Sequence, residues 1–216
     1  MCSSDLVGTY GEYRFGAAQK ARCVVGVFVG TGIGGACIYE GKIFRGTTGS
    51  CMEVGHIHMQ PKGDLCGCGR HGCLETAASR LAVSAEAAEA AYRGNAPHLL
   101  ETAGTDLTAI RSRTLVAAIK EGDAAVEDIV RHSAKYLGVA VASLVNLLAP
   151  DIVVLGGGMV EAMPQVYLEH VRKAVREQSM KSLSRGVKVV AAKLGDEAGV
   201  MGAAALAAEA YDARHR

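Results

Sequence analysis

With 216 residues, half of them hydrophobic, and a formal net charge of +1, the chain can bury a full core but carries no basic footprint for nucleic acid or an anionic bilayer. No apolar run reaches the length of a bilayer span, and no charged-then-apolar leader opens the chain. We therefore expect one large or two small cytoplasmic domains that find their partners through specific pockets, with neither nucleic acid nor membrane among them.

Residues 11–20 (GEYRFGAAQK) read as the end of a helix that begins upstream. Residues 23–30 and 35–39 are apolar runs separated by the glycine-dense GTGIG. With a turn at Glu40-Gly41 and residues 42–44, they predict a meander of antiparallel strands. Residues 46–73 hold seven glycines, one proline and no helical period, and read as loop. An alanine-rich helix is expected from Leu74 to about Tyr92, punctuated by Asn95-Ala96-Pro97. Further helices follow at 112–120 and 124–148, the second ended by Ala149-Pro150. Residues 151–155 (DIVVL) form a strand of the type buried on both faces, running into Gly156-Gly157-Gly158. A helix at 163–177, a strand at 186–192 and a helix at 202–211 close the chain. Three early strands followed by helix–strand alternation imply a layered α/β domain without internal repeats or long linkers.

Seven cysteines are the compositional oddity, and an odd count with a tight cluster argues against a secreted disulfide framework. Cys23 and Cys37 sit in apolar strands and read as small buried hydrophobes; Cys51 reads either way. In contrast, Cys66-Gly-Cys68-Gly-Arg-His-Gly-Cys73 places three thiols within eight residues. Thiolates bind zinc well, and the interleaved glycines let the chain curl so that all three sulfurs face one ion. A closed tetrahedral site needs a fourth ligand, for which His56, His58 and His71 are candidates; His71 lies inside the cysteine knuckle, where turning inward is constrained. No second cysteine pair is present to make a free-standing zinc ribbon. The expected role of zinc is structural, clamping a loop with little core of its own.

Glu53-Val54-Gly55-His56 matches an ExGH motif, and Cys66-x-Cys68-Gly-x-x-Gly-Cys73-x-Glu75 matches CxCGxxGCxE. On these motifs, and on the length of the loop between them, the chain resembles the ROK family (repressors, open reading frames, kinases) from residue 7 to residue 216. Residues 29–34 resemble the family's second phosphate-binding turn, residues 155–158 its adenosine-binding turn, and residues 195–202 its closing motif. The resemblance implies an actin-like, ribonuclease H-like ATPase fold. This chain would supply the C-terminal lobe at residues 22–216, with a zinc-binding loop inserted at 53–75. It further implies that His56, Cys66, Cys68 and Cys73 hold zinc, and that His56 also touches a sugar whose hydroxyls Glu53 and Glu75 accept from. Gly30, Thr31 and Gly32 would cradle the phosphates of ATP with its Mg2+, and Gly157 and Gly158 would receive the adenosine. Taken singly, Glu53 is an ordinary loop acid, and Glu75 an acid favoured at a helix start by the dipole. The implied partners are a hexose or N-acetylhexosamine and ATP, in a full-length protein that is a homo-oligomer.

Two parts of the family pattern have no counterpart. The sequence holds no Asp-x-Gly-Gly-Thr phosphate loop and no Asn-Asp pair whose Asp would be the general base. Ungapped alignment places that Asp at Ser4 and leaves Asp5 one position out of register, so no catalytic base is assigned. The string Cys2–Leu6 is also what TGC-TCT-TCC-GAT-CTN, a common sequencing-adapter end, encodes. We expect residues 1–6 to be an assembly artefact, residues 1–21 to combine it with a remnant of the inter-lobe helix, and the chain to be an inactive or nearly inactive portion of an ATP-dependent hexose kinase, glucose being the first choice of sugar. The alternative is a ROK-type sugar-responsive repressor lacking its helix-turn-helix.

Overall fold

The computed structural model describes residues 3–47, 49 and 51–215. Met1 and Cys2, the start of the suspected artefact, lie outside the described residues. Helix α1 (Ser3–Arg14) leads into three strands, β1 (Cys23–Val29), β2 (Ile33–Tyr39) and β3 (Lys42–Ile43). The expected meander is present: β1 pairs antiparallel with β2, and β2 with β3. Its β2–β3 turn has both central residues, Glu40 and Gly41, at positive φ (50° and 81°), the backbone that matches the twist of a tight hairpin. After the long loop come α2 (Leu74–Ala78), α3 (Arg80–Tyr92), α4 (Pro97–Ala103), α5 (Ser112–Lys120) and α6 (Ala124–Leu148). Then β4 (Ile152–Gly156), α7 (Gly158–Ala162), α8 (Pro164–Gln178), α9 (Lys181–Ser184), β5 (Lys188–Ala191) and α10 (Glu197–Arg214) complete the chain.

The sheet order is β3-β2-β1-β4-β5, with β4 parallel to both β1 and β5. Period-two alternation sends the two faces of β1 into two cores. Val25, Val27 and Val29 join the larger one with Leu137 and Val141 of α6, while Val24 meets Tyr10, Ile38, Val154 and Ala205 on the face covered by α1 and α10. The result is a three-layer α/β arrangement. On the second face α1 and α10 touch backbone to backbone: a Cβ on Gly202 would lie 1.8 Å from the Val7 carbonyl oxygen. That crossing requires glycine. Glu12 fastens the same region. Fully buried, its Oε1 accepts from the N–H groups of Lys193 and Leu194 and its Oε2 from that of Ala17, each at 2.7 Å. A buried carboxylate is tolerated when its lone pairs are so filled.

Three expectations on element limits are corrected. The helix expected over 74–92 is broken at Ser79, whose extended backbone (φ −70°, ψ 159°) ends α2 while its Oγ accepts from Ala82 N–H at 3.2 Å and caps α3. Serine competes for helix backbone in this way and so favours caps. The punctuation at Pro97 is instead the first turn of α4, with proline at a position where no N–H is needed. The closing helix begins five residues earlier than its expected start, at Glu197. Among the described residues, no helix is long and apolar enough to cross a membrane.

Candidate functional site

β1 and β4 run parallel at the centre of the sheet, and ligands of such sheets gather outside the carboxyl ends of the strands. There β1 turns through Gly30-Thr31-Gly32 into β2, and β4 turns through Gly157 into α7. Gly157 has φ 85°, and a Cβ on it would lie 2.6 Å from Val29 oxygen, so only glycine lets the two strand ends approach. Between them opens a cavity of about 670 Å³. Its wall includes Gly30, Thr31, Gly32, Glu53, His56, Glu75, Gly157 and Gly158. All the residues assigned to nucleotide and sugar thus border one space.

Details of the turn differ from a simple ring of free N–H groups. Gly30 N–H donates to Gly32 oxygen at 2.9 Å and closes the turn on itself. Ile33 N–H donates to Glu75 Oε2 at 3.0 Å. Glu75 is therefore tied to the phosphate-type turn as well as to the opposite, sulfur-lined side, where its Oε1 lies 3.8 Å from Cys66 Sγ. Glu53 stands exposed before the short 3-10 turn Val54–His56, whose Val54 and Gly55 are buried and anchor it.

Across the loop, His56, Cys66, Cys68 and Cys73 bring one ligand atom each to within 4.8 Å of one another. His56 Nδ1 is 3.6 Å from Cys66 Sγ, and the Cys68 and Cys73 sulfurs are 3.6 Å apart. A tetrahedral zinc with Zn–S bonds of about 2.3 Å has edges of about 3.8 Å, so size and donor chemistry both fit that ion. The competing histidines turn elsewhere: exposed His71 puts Nδ1 3.0 Å from Gly63 oxygen, and exposed His58 bridges Cys73 through its backbone. The knuckle is held by Cys66 N–H to Arg70 oxygen (2.8 Å) and by Leu74 N–H to Ile57 oxygen (2.8 Å). The Arg70 backbone N–H and then its guanidinium hold the Cys68 thiol down to about 6. That favours the thiolate at Cys68 alone, whereas burial pushes the adjacent Cys73 thiol up to about 12.

Further residues at or beside the cavity had no role assigned from the sequence. Ser4 and Asp5 line the wall, so the position aligned with the family's base and the out-of-register acid both face this space. Glu161 and Asp196 line the β4 side; burial first, and the neighbouring Asp196 charge second, raise the Glu161 carboxyl above its ordinary value. Arg80, at the start of α3, donates from Nη2 to Thr31 Oγ1 at 2.8 Å. No periodic pattern marks these residues, because loops and helix ends bring them in singly.

Sheet, glycine turns and cavity define a ligand-binding α/β domain. The ROK family pattern matches residues 3–210, and the chain belongs to the ROK family. It is 36% identical over 203 residues to the glucokinase of Streptomyces coelicolor, covering 93% of this chain and 64% of that protein. A solved ROK family glucokinase from Streptomyces griseus, in complex with glucose and AMPPNP, superposes with a TM-score of 0.82 at 35% identity over 94% of this chain and 66% of that one. The DNA-binding transcriptional dual regulator NagC of Escherichia coli is 30% identical over 195 residues, 90% of this chain and 46% of the regulator. The chain thus spans less than two thirds of the length of these relatives.

Proposed function

We propose that this chain carries the nucleotide-, sugar- and zinc-binding portion of an ATP-dependent hexose kinase, with glucose as the first candidate sugar and the cytoplasm as its place. One observation carries the reading: both glycine turns and the three sugar-side residues Glu53, His56 and Glu75 border a single cavity. The Thr31 and Gly32 N–H groups receive phosphate oxygens, while the Gly157–Gly158 turn leaves room for adenosine. Magnesium, bound with ATP, neutralises phosphate charge. Glu53 and Glu75 accept from adjacent sugar hydroxyls, bonds strengthened by their charge. Zinc held by His56, Cys66, Cys68 and Cys73 supplies rigidity, fixing the loop that aims these groups.

The sequence contains no Asp-x-Gly-Gly-Thr loop and no Asn-Asp pair, so we expect this chain alone to turn over sugar at a small fraction of an ordinary kinase rate. A coupled assay with glucose and ATP tests this, and ordinary sugar-dependent turnover would refute it. Oligomerisation we assign to the full-length protein. The similarity to a transcriptional regulator supports a second reading, a sugar-responsive repressor. Saturable AMPPNP binding favours the kinase, because a repressor needs sugar recognition but no nucleotide cradle.

A further inference from the structure

The Gly30–Gly32 turn is short of donors for the job proposed for it. Gly30 N–H is used within the turn, and Ile33 N–H is given to Glu75. That leaves the N–H groups of Thr31 and Gly32 and the Thr31 hydroxyl. Arg80 sits directly against this remainder. Its backbone N–H donates to Gly30 oxygen at 2.9 Å and its Nη2 to Thr31 Oγ1 at 2.8 Å. Thr31 is exposed and Arg80 half-buried. Among the described residues, no carboxylate pairs with the guanidinium.

A threonine hydroxyl has one proton to donate and two lone pairs to accept with. A guanidinium can only donate, so the Arg80 bond occupies a lone pair and leaves the Thr31 proton to point elsewhere. Thr31 borders the cavity, where an anion is the natural acceptor. The cation also raises the potential of a turn whose remaining N–H groups already favour negative charge. We propose that Arg80 is a positioning residue for the nucleotide phosphates: it sets the Thr31 hydroxyl as a donor and adds the positive charge the depleted turn lacks. The inference rests on the nucleotide reading above.

Calorimetric titration of AMPPNP and of adenosine into the zinc-loaded full chain tests it, using wild type, Arg80→Met, Thr31→Val and the double variant. Loss of a charged hydrogen bond predicts an AMPPNP affinity at least about tenfold weaker in Arg80→Met, with adenosine changed less than about twofold. The double variant should be no worse than about the weaker single one, since one residue acts through the other. Equal losses for AMPPNP and adenosine, an unchanged AMPPNP affinity, or additive losses would each overturn the proposal. If Arg80→Met loses its melting transition, Arg80→Gln replaces it and must show the same selective loss. Wild-type chain that fails to bind AMPPNP at all would instead overturn the nucleotide reading, and this inference with it.

Discussion

Glu75 has work on two sides. One carboxylate oxygen accepts from Ile33 N–H at 3.0 Å and the other lies 3.8 Å from Cys66 Sγ, yet a carboxylate offers about four acceptor sites and keeps capacity for a sugar hydroxyl. Glu75→Gln retains an acceptor for Ile33 but loses the charge. We expect glucose affinity to fall about tenfold or more with little change in melting temperature, whereas Glu75→Ala should lower both. Calorimetry paired with a thermal melt separates these outcomes. Glu12 poses the opposite test, since it is not among the residues that line the cavity. Glu12→Ala takes the shared acceptor from the N–H groups of Ala17, Lys193 and Leu194 and should cost about 2–4 kcal/mol in urea unfolding. A cost under about 1 kcal/mol would mean that water reaches those groups.

Elements whose determinants are local were legible. The Glu40-Gly41 hairpin, the 124–148 helix and the DIVVL strand follow from their own residues, and the cysteine spacing gave three of the four clustered ligand atoms, His56 being added only by the family resemblance. Elements fixed from a distance were not. α4 takes its cap from the buried Asp123 carboxylate, which accepts from His98 N–H at 3.3 Å and Leu99 N–H at 2.8 Å, and nothing near Pro97 announces an acceptor 25 residues away. The Ser79 break was hidden because the alanines on both sides suit one uninterrupted helix. Arg80 was missed because its partner lies in a turn 49 residues earlier. Asp123→Ala should therefore destabilise the fold by about 1 kcal/mol, a typical lost cap. Its loss of hydrogen-exchange protection should concentrate in residues 98–103, and a uniform loss across the chain would contradict the capping role.

For the whole molecule, the site is an agreement between two structures of different kinds. The sheet and its helices bury a large core on one face and a smaller one on the other, and set the two glycine turns at the strand ends. Residues 57–73, in contrast, contribute little to that core and rely on short backbone bonds and on four convergent ligand atoms. On the proposed reading, a chelator should then leave the sheet folded while releasing residues 57–73 and, with them, the proposed sugar contacts Glu53 and His56. The measurement that bears most directly on this account is glucose titration of zinc-replete and chelator-stripped protein in a calorimeter. We predict saturable one-site binding in the replete sample, loss of binding on stripping, and recovery when stoichiometric zinc is returned. Equal glucose affinity with and without zinc, or no glucose binding by the replete chain, would contradict it.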